Sequence, residues 1–200
     1  MALRFPSEAR DRLGEAGPDP QLAAWLRNGK PPVYFGLGSM PVRDPSETLG
    51  IIESVARETR RTCGCRRRLV APEGRQNLPD HLRVVGAVDH GSLFPQCGAA
   101  VHHGGAGTVI AAAGLPSVAC SVFADQPFWG VRLERLDVSV HLPFKKFGKA
   151  SLEGALRRAS ASALKSAAAQ LGAALRAEPD AVPWIGALIE QLGKPALRAA

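Results

Sequence analysis

The sequence predicts an α/β domain with a doubly wound parallel sheet, and three observations support that prediction. Apolar runs typical of strands alternate with helical segments over about 150 residues, which favours a parallel sheet covered on both faces. The chain of 200 residues, 46% of them hydrophobic, is long enough for one domain with a complete core. Polar or glycine-rich loops follow three strands, at residues 36–40, 102–108 and 123–126. Because such folds bind ligands at the carboxyl ends of their strands, we expect these loops to converge on one crevice.

The amino-terminal elements follow from their composition. Residues 1–30 are polar and contain two proline breakers, which predicts a linker and a short helix around residues 22–26. The domain itself is predicted to span residues 31–195. It opens with the apolar run 33–37, which predicts a buried parallel strand. A helix is expected to begin at Pro45, because proline and glutamate suit the first helical turn.

The same patterns predict the remaining elements. Further strands are expected at residues 68–71, 82–85, 99–102, 116–122 and 138–142. Further helices are expected at residues 106–113, 126–136, 151–175 and 182–192. The glycine-rich segment 102–108 therefore joins a strand directly to a helix.

The formal net charge of +7 is partly concentrated in one arginine cluster. Its members are Arg57, Arg60, Arg61, Arg66, Arg67 and Arg68. Such a cluster can attract nucleic acid or an anionic membrane. No interleaved aromatic residues and no recognisable nucleic-acid module accompany it, so we expect no nucleic-acid partner. A solvated helix end and loop is the favoured interpretation, and peripheral contact with a membrane surface is the second.

The four cysteines indicate reduced thiols rather than a metal site. They are Cys63, Cys65, Cys97 and Cys120, with Cys120 expected to be buried in a strand. Neither a C-x-x-C pair nor an H-x-x-x-H pair completes a zinc site. No apolar run is long enough to cross a bilayer, and the amino terminus lacks the apolar core of a signal peptide. We therefore expect a cytoplasmic protein.

The segment 102–108, His-His-Gly-Gly-Ala-Gly-Thr, suits the binding of a diphosphate. Glycines let the backbone approach a phosphate closely, and the following helix offers unpaired N–H groups and a partial positive charge. His103 could donate a ring N–H to a phosphate oxygen, and Thr108 could donate a hydroxyl hydrogen bond. Together these groups would hold a diphosphate without a metal. The alternative is a tight strand-to-helix turn in which His102 and His103 are merely packed.

The segment 123–129 follows the next predicted strand and carries a carboxylate beside an amide. Asp125 accepts hydrogen bonds and Gln126 both donates and accepts, which suits the hydroxyl groups of a sugar. The alternative is a helix cap by Asp125, with Pro127 in the first turn. Both interpretations can hold, because one carboxylate has two oxygens. Two such loops on consecutive strands favour a ligand site.

Taken in order, these motifs resemble a known family. They are residues 33–42, 93–97, 102–108, 114–116 and 123–130. From about residue 25 to about residue 192, the chain is similar to the C-terminal half of sterol 3-β-glucosyltransferases and of the related antibiotic glycosyltransferases. The combination is specific, whereas each motif alone is not.

The resemblance implies a two-domain GT-B fold, of which this chain supplies one Rossmann-like, donor-binding half. It implies inverting transfer of a hexose, glucose in the first place, from a UDP-sugar to a lipid or sterol hydroxyl, with neither metal nor cofactor. The residues that it places at the donor diphosphate are Ser39, His103, Gly104, Gly105, Ala106, Gly107 and Thr108. The residues that it places at the donor sugar are Asp125 and Gln126. Preorganised N–H groups and a helix N-terminus would stabilise the charge that develops on the departing diphosphate.

The resemblance also implies that the acceptor pocket and the catalytic base, a histidine, belong to an N-terminal acceptor domain in cis or in trans. His102 and His103 are therefore not expected to act as the base, and the chain alone is not expected to transfer sugar. The main alternative is a degenerate, non-catalytic domain that binds a nucleotide sugar or a partner. A dinucleotide-binding oxidoreductase is disfavoured, because its glycine loop would follow the first strand and here it follows a late one.

Overall fold

A computed structural model describes residues 20–37, 44–59, 62–65, 79–85, 88–104, 110, 113–178 and 181–193. Within them, six short strands form one sheet in which every pair of neighbours is parallel. They are β1 (Val33–Gly36), β2 (Thr62–Cys65), β3 (Leu82–Val85), β4 (Ala99–His102), β5 (Ser117–Ala119) and β6 (Ser139–His141). Their order across the sheet is β3-β2-β1-β4-β5-β6. The predicted doubly wound, Rossmann-like α/β architecture is confirmed.

The helices pack along this sheet and continue beyond its last strand. Those in the described residues are α1 (Pro20–Arg27), α2 (Pro45–Thr59), α3 (His90–Leu93), α4 (Gln126–Arg135), α5 (Lys149–Ala159), α6 (Ser162–Ala177) and α7 (Ala181–Gly193). Single 3-10 turns lie at Phe94–Gln96 and Phe144–Lys146. Throughout the described part of the chain, no helix combines the length and the apolar character needed to span a bilayer.

Two apolar clusters cover the two faces of the sheet, because successive side chains of a strand point to opposite faces. Phe35 of β1 belongs to one cluster, with Ile52 of α2 and Leu152 of α5. The adjacent Tyr34 belongs to the other cluster, with Leu22 of α1. Strand β4 is buried at all four positions and β1 at its two central residues, which agrees with the apolar sequences of these two strands.

Most predicted elements are confirmed. Confirmed helices are those predicted around residues 22–26, from Pro45, at 126–136 and at 182–192. Confirmed strands are those predicted at residues 33–37, 82–85, 99–102, 138–142 and, in shortened form, 116–122. Cys120 is buried directly after β5, and Arg57 is exposed in the last turn of α2. The other members of the arginine cluster, the strand predicted at 68–71 and most of the helix predicted at 106–113 lie outside the described residues.

Two predictions need correction. The single helix predicted at 151–175 is wrong, because Ala161 is extended (φ −62°, ψ 142°) and separates α5 from α6. Serines at 160 and 162 flank this break, and serine favours helix ends because its hydroxyl competes for backbone hydrogen bonds. Strand β2, with the sequence Thr-Cys-Gly-Cys, was expected to be part of a loop. Its place is set by pairing with β1 and β3 rather than by an apolar run of its own.

Candidate functional site

Two of the three predicted loops lie at the carboxyl edge of the sheet, near the point where the strand order reverses. Strands β1 and β4 are neighbours there, and such a switch point leaves a crevice beyond the strand ends. Residues 102–104 leave β4 at this edge, and residues 120–125 connect β5 to α4. The first predicted loop is described only as far as Leu37. The predicted site residues Ser39, Gly105, Ala106, Gly107 and Thr108 lie outside the described residues.

The two loops meet at Gly104. This residue is buried and has a φ of +81°, in the left-handed region that favours glycine. A Cβ atom at this position would lie 3.3 Å from the carbonyl oxygen of Gln126 and 3.6 Å from its Cβ. The two loops that the sequence predicts to converge are therefore in contact.

His103 follows β4 directly and is half-buried. Its Nδ1 atom is buried and has no hydrogen-bond partner among the described residues. Burial of a polar nitrogen without a partner costs free energy, so such an atom in a folded protein needs a physical explanation. An oxygen of a bound ligand would satisfy it at the place where the sequence predicts a diphosphate.

His102, in contrast, is fixed inside the sheet. Its Nδ1 accepts a hydrogen bond from the N–H of Gly104 at 3.2 Å, and its Nε2 lies 3.3 Å from Oγ of Ser117. The Ser117 hydroxyl donates to Oγ of Ser139 at 2.9 Å, and the Ser139 hydroxyl donates to the Ser117 carbonyl at 3.1 Å. Burial, aided by the nearby His103, lowers the pKa of His102 to about 4. Both ring nitrogens are thus engaged within the domain.

Gln126 shapes the loop that precedes α4. Although polar, it is only 5% exposed. Its Oε1 accepts hydrogen bonds from the N–H groups of Val122 at 2.8 Å and Phe123 at 3.2 Å. The turn closed in this way contains Ala124 with a φ of 57°, which is uncommon for a residue with a side chain. The side-chain oxygen Oε1 of Gln126 therefore holds the turn that presents the preceding residue, Asp125.

Asp125 stands at the start of α4 but does not cap it. Its backbone is helical (φ −81°, ψ −9°), and its side chain makes no capping hydrogen bond. Instead, Oδ2 accepts a hydrogen bond from Nε1 of Trp129 at 2.8 Å. Pro127 does lie in the first turn, as predicted. The interpretation of Asp125 as a helix cap is therefore wrong, and its carboxylate is exposed beside the buried Gln126.

Three residues of this region were not predicted from the sequence: Trp129, Ser117 and Ser139. Trp129 lies on a predicted helix and Asp125 directly precedes that helix, four residues away, a spacing that could have indicated their contact. The serine pair depends on which strands are neighbours, and no local pattern reveals that. Large apolar side chains are also exposed along this loop and α4. They are Val122, Phe123, Phe128, Trp129, Val131 and Leu136.

Comparison with known proteins places this geometry in context. The family model described as erythromycin biosynthesis protein CIII-like, C-terminal domain, matches residues 69–190. An uncharacterized glycosyltransferase of Mycobacterium leprae is 37% identical over 144 residues, which cover 70% of this chain and 33% of that protein. The sterol 3-beta-glucosyltransferase UGT80A2 of Arabidopsis thaliana is 32% identical over 178 residues, which cover 88% of this chain and 28% of that protein. The chain thus spans about a third of the length of the curated relatives it matches.

Solved structures show the same fold. The glycosyltransferase VinC in complex with dTDP matches with a TM-score of 0.65 and 26% identity, over 83% of this chain and 43% of VinC. The spinosyn rhamnosyltransferase SpnG complexed with thymidine diphosphate matches with a TM-score of 0.68 and 19% identity, over 82% of this chain and 47% of SpnG. In each case the match covers less than half of the solved chain.

Proposed function

Because this chain belongs to the family of EryCIII-like C-terminal domains and folds as one half of a GT-B glycosyltransferase, we propose that it binds the donor nucleotide sugar for glycosyl transfer. The observation that carries the proposal is the contact between Gly104 and Gln126. That contact joins a glycine loop to a loop with an exposed carboxylate, at the sheet edge where such folds bind ligands. One loop suits the phosphates of a nucleotide sugar, and the other suits its hydroxyl groups.

The diphosphate is proposed to lie against the glycine loop. The buried Nδ1 of His103, which has no hydrogen-bond partner in the described part of the chain, supports this placement, because a phosphate oxygen can accept its hydrogen bond. We assign Gly104 to the same role, together with residues outside the described part of the chain. Those are Ser39, Gly105, Ala106, Gly107 and Thr108. Backbone N–H groups and a helix N-terminus would stabilise the charge on the departing nucleoside diphosphate without a metal.

The donor sugar is proposed to lie against Asp125 and Gln126. Asp125 is exposed, and among the described residues its Oδ1 has no hydrogen-bond partner. A carboxylate oxygen can accept hydrogen bonds from two neighbouring sugar hydroxyls. Gln126 contributes through the loop geometry that its side-chain Oε1 maintains.

The finer assignment rests on the relatives. The sterol 3-beta-glucosyltransferase among them favours glucose as the donor sugar and a sterol or other lipid hydroxyl as the acceptor. Inversion at the anomeric carbon is proposed from the resemblance of the sequence motifs alone. The resemblance of the sequence motifs implies UDP, whereas VinC and SpnG were solved with dTDP, so both are candidate nucleotides. An acceptor domain, in cis or in trans, would supply the base and the acceptor pocket.

Isothermal titration of the full chain with UDP, dTDP and UDP-glucose, with and without EDTA, tests the proposal. We expect at least one nucleoside diphosphate to bind, with an affinity that EDTA leaves unchanged. Binding of neither nucleotide would overturn the donor-site assignment. Binding that disappears with EDTA would instead overturn its metal-free character.

A further inference from the structure

The carboxylate of Asp125 is anchored by a side chain one helical turn away. Nε1 of Trp129 donates a hydrogen bond to Oδ2 of Asp125 at 2.8 Å. An indole N–H can only donate a hydrogen bond. It therefore occupies one carboxylate oxygen of Asp125 and cannot itself accept a hydrogen bond from a sugar hydroxyl. The other oxygen, Oδ1, has no partner among the described residues.

The indole ring is itself held in place. The ring of Phe128 contacts that of Trp129 edge to face, with 5.3 Å between centroids and an interplanar angle of 80°. The guanidinium carbon of Arg132 lies 5.7 Å from the centroid of the Phe128 ring. Trp129 is 39% exposed, so these contacts restrict its ring without burying it in the core. The anchor therefore belongs to the site surface, and its loss should leave the fold intact.

Without this anchor, the Asp125 carboxylate would have competing partners. The first turn of a helix has N–H groups with no partner in the helix, and an aspartate at its start readily bonds to them. In this structure the side chain of Asp125 makes no such bond. The indole thus selects one orientation of the carboxylate over a common alternative.

We propose that Trp129 is a positioning residue for donor-sugar recognition, which it serves by fixing Asp125 and leaving Oδ1 for the hydroxyl groups of the sugar. This inference rests on the proposed role of Asp125 in binding the donor sugar. It predicts that Trp129 affects how much more tightly the chain binds the nucleotide sugar than the nucleotide alone. Affinity for the nucleotide alone does not depend on it.

The test is a set of titrations of the full chain with two ligand pairs, UDP with UDP-glucose and dTDP with dTDP-glucose. The measured quantity is the dissociation constant of the nucleotide divided by that of the nucleotide sugar within each pair, so a larger ratio means that the sugar adds more affinity. Trp129→Phe keeps a ring but removes the N–H donor, and we expect it to lower this ratio about threefold to tenfold. Affinity for the nucleotide alone and the melting temperature should stay unchanged.

The matched control is Trp25→Phe. Trp25 also donates its indole N–H, to the carbonyl oxygen of Asp80 at 2.9 Å on another part of the surface. Its substitution removes the same kind of donor and should leave the ratio as it is. In an Asp125→Ala background, Trp129→Phe should have no further effect, because the group that it positions is absent.

The outcomes separate this inference from the function on which it rests. If Asp125→Ala lowers the ratio and Trp129→Phe does not, Trp129 has no positioning role. An equal loss of nucleotide and nucleotide-sugar affinity in Trp129→Phe would overturn the inference too, since it indicates a general structural role. If Asp125→Ala leaves the ratio unchanged, or if no nucleotide sugar binds, the proposed function fails at this site and the inference fails with it.

Discussion

The backbone N–H of Gly104 donates a hydrogen bond to Nδ1 of His102, with 3.2 Å between the two nitrogen atoms. This bond fixes the tautomer of the imidazole, because Nδ1 must be the acceptor and Nε2 must carry the proton. The protonated Nε2 then faces Oγ of Ser117 at 3.3 Å. A second proton on the ring would turn Nδ1 into a donor and break its bond to Gly104. The hydrogen bond that holds Gly104 in the glycine loop thus depends on the protonation state of the buried His102.

Stability should therefore fall in mild acid. The pKa of His102 is lowered from 6.5 to about 4 by burial, so between these values the unfolded chain binds the extra proton. The contribution of His102 is complete above about pH 6.5 and declines as the pH falls towards about 4, by on the order of 3 kcal/mol in all. Urea unfolding at several pH values should show a shallower decline in His102→Asn than in the unsubstituted chain. Equal slopes in both proteins would contradict the prediction.

Gly104→Ala should weaken both the fold and nucleotide binding. A non-glycine residue at a φ of +81° costs about 1–2 kcal/mol, and its Cβ would lie 3.3 Å from the carbonyl oxygen of Gln126. A loop displacement of similar cost would lower the affinity for UDP about tenfold. Urea unfolding and titration with UDP measure the two effects.

Gly154→Ala is the matched control for that substitution. Gly154 lies inside α5, and a Cβ there would meet nothing within 4 Å. Because alanine has the higher helix propensity, the control should gain up to about 1 kcal/mol of stability and bind UDP normally. Identical behaviour of the two variants would mean that Gly104 has no special conformational role.

Gln126→Leu should destabilise the loop in a way that Asp125→Ala does not. Leucine removes the acceptor for the N–H groups of Val122 and Phe123, and each lost hydrogen bond costs about 0.5–1.5 kcal/mol. We therefore expect Gln126→Leu to lower the melting temperature and to weaken UDP and UDP-glucose alike. Asp125→Ala should weaken UDP-glucose alone and melt like the parent chain. Calorimetry and titration distinguish the two; a normal melting temperature for Gln126→Leu would be incompatible with its role in the loop.

The sequence carries more information on the position of the site than on its internal contacts. The apolar run of β1 and the glycines after β4 have local signatures, because strand burial and backbone approach act on neighbouring residues. The Gly104 contact with Gln126 and the row from His102 to Ser139 depend on strand order, which no local pattern encodes. The role of a polar residue is also ambiguous in the sequence: the side-chain Oε1 of Gln126 accepts hydrogen bonds from its own loop, although a glutamine suits a sugar hydroxyl equally well.

This chain alone should not transfer sugar. Transfer requires an acceptor hydroxyl aligned with the donor and a base within reach of it, and both ring nitrogens of His102 are already engaged. Incubation with UDP-glucose and a sterol, followed by mass spectrometry, should give no steryl glucoside. Product should appear when the N-terminal domain of a sterol glucosyltransferase is supplied in trans. Robust product without that domain would refute the division of labour proposed for the two halves.

The hydroxyl groups of Ser117 and Ser139 also bear on how the sheet assembles. Both residues begin three-residue strands, and they face each other directly in the pairing of β5 with β6. Strands this short offer few apolar side chains to distinguish one alignment from the next. A slip of one residue would turn Ser139 to the opposite face and leave the Ser117 hydroxyl without its acceptor in a buried position. The serine pair thus disfavours misaligned pairing of β6, the outer strand, with β5. The loop that carries Asp125 follows β5, so its position depends on the same alignment.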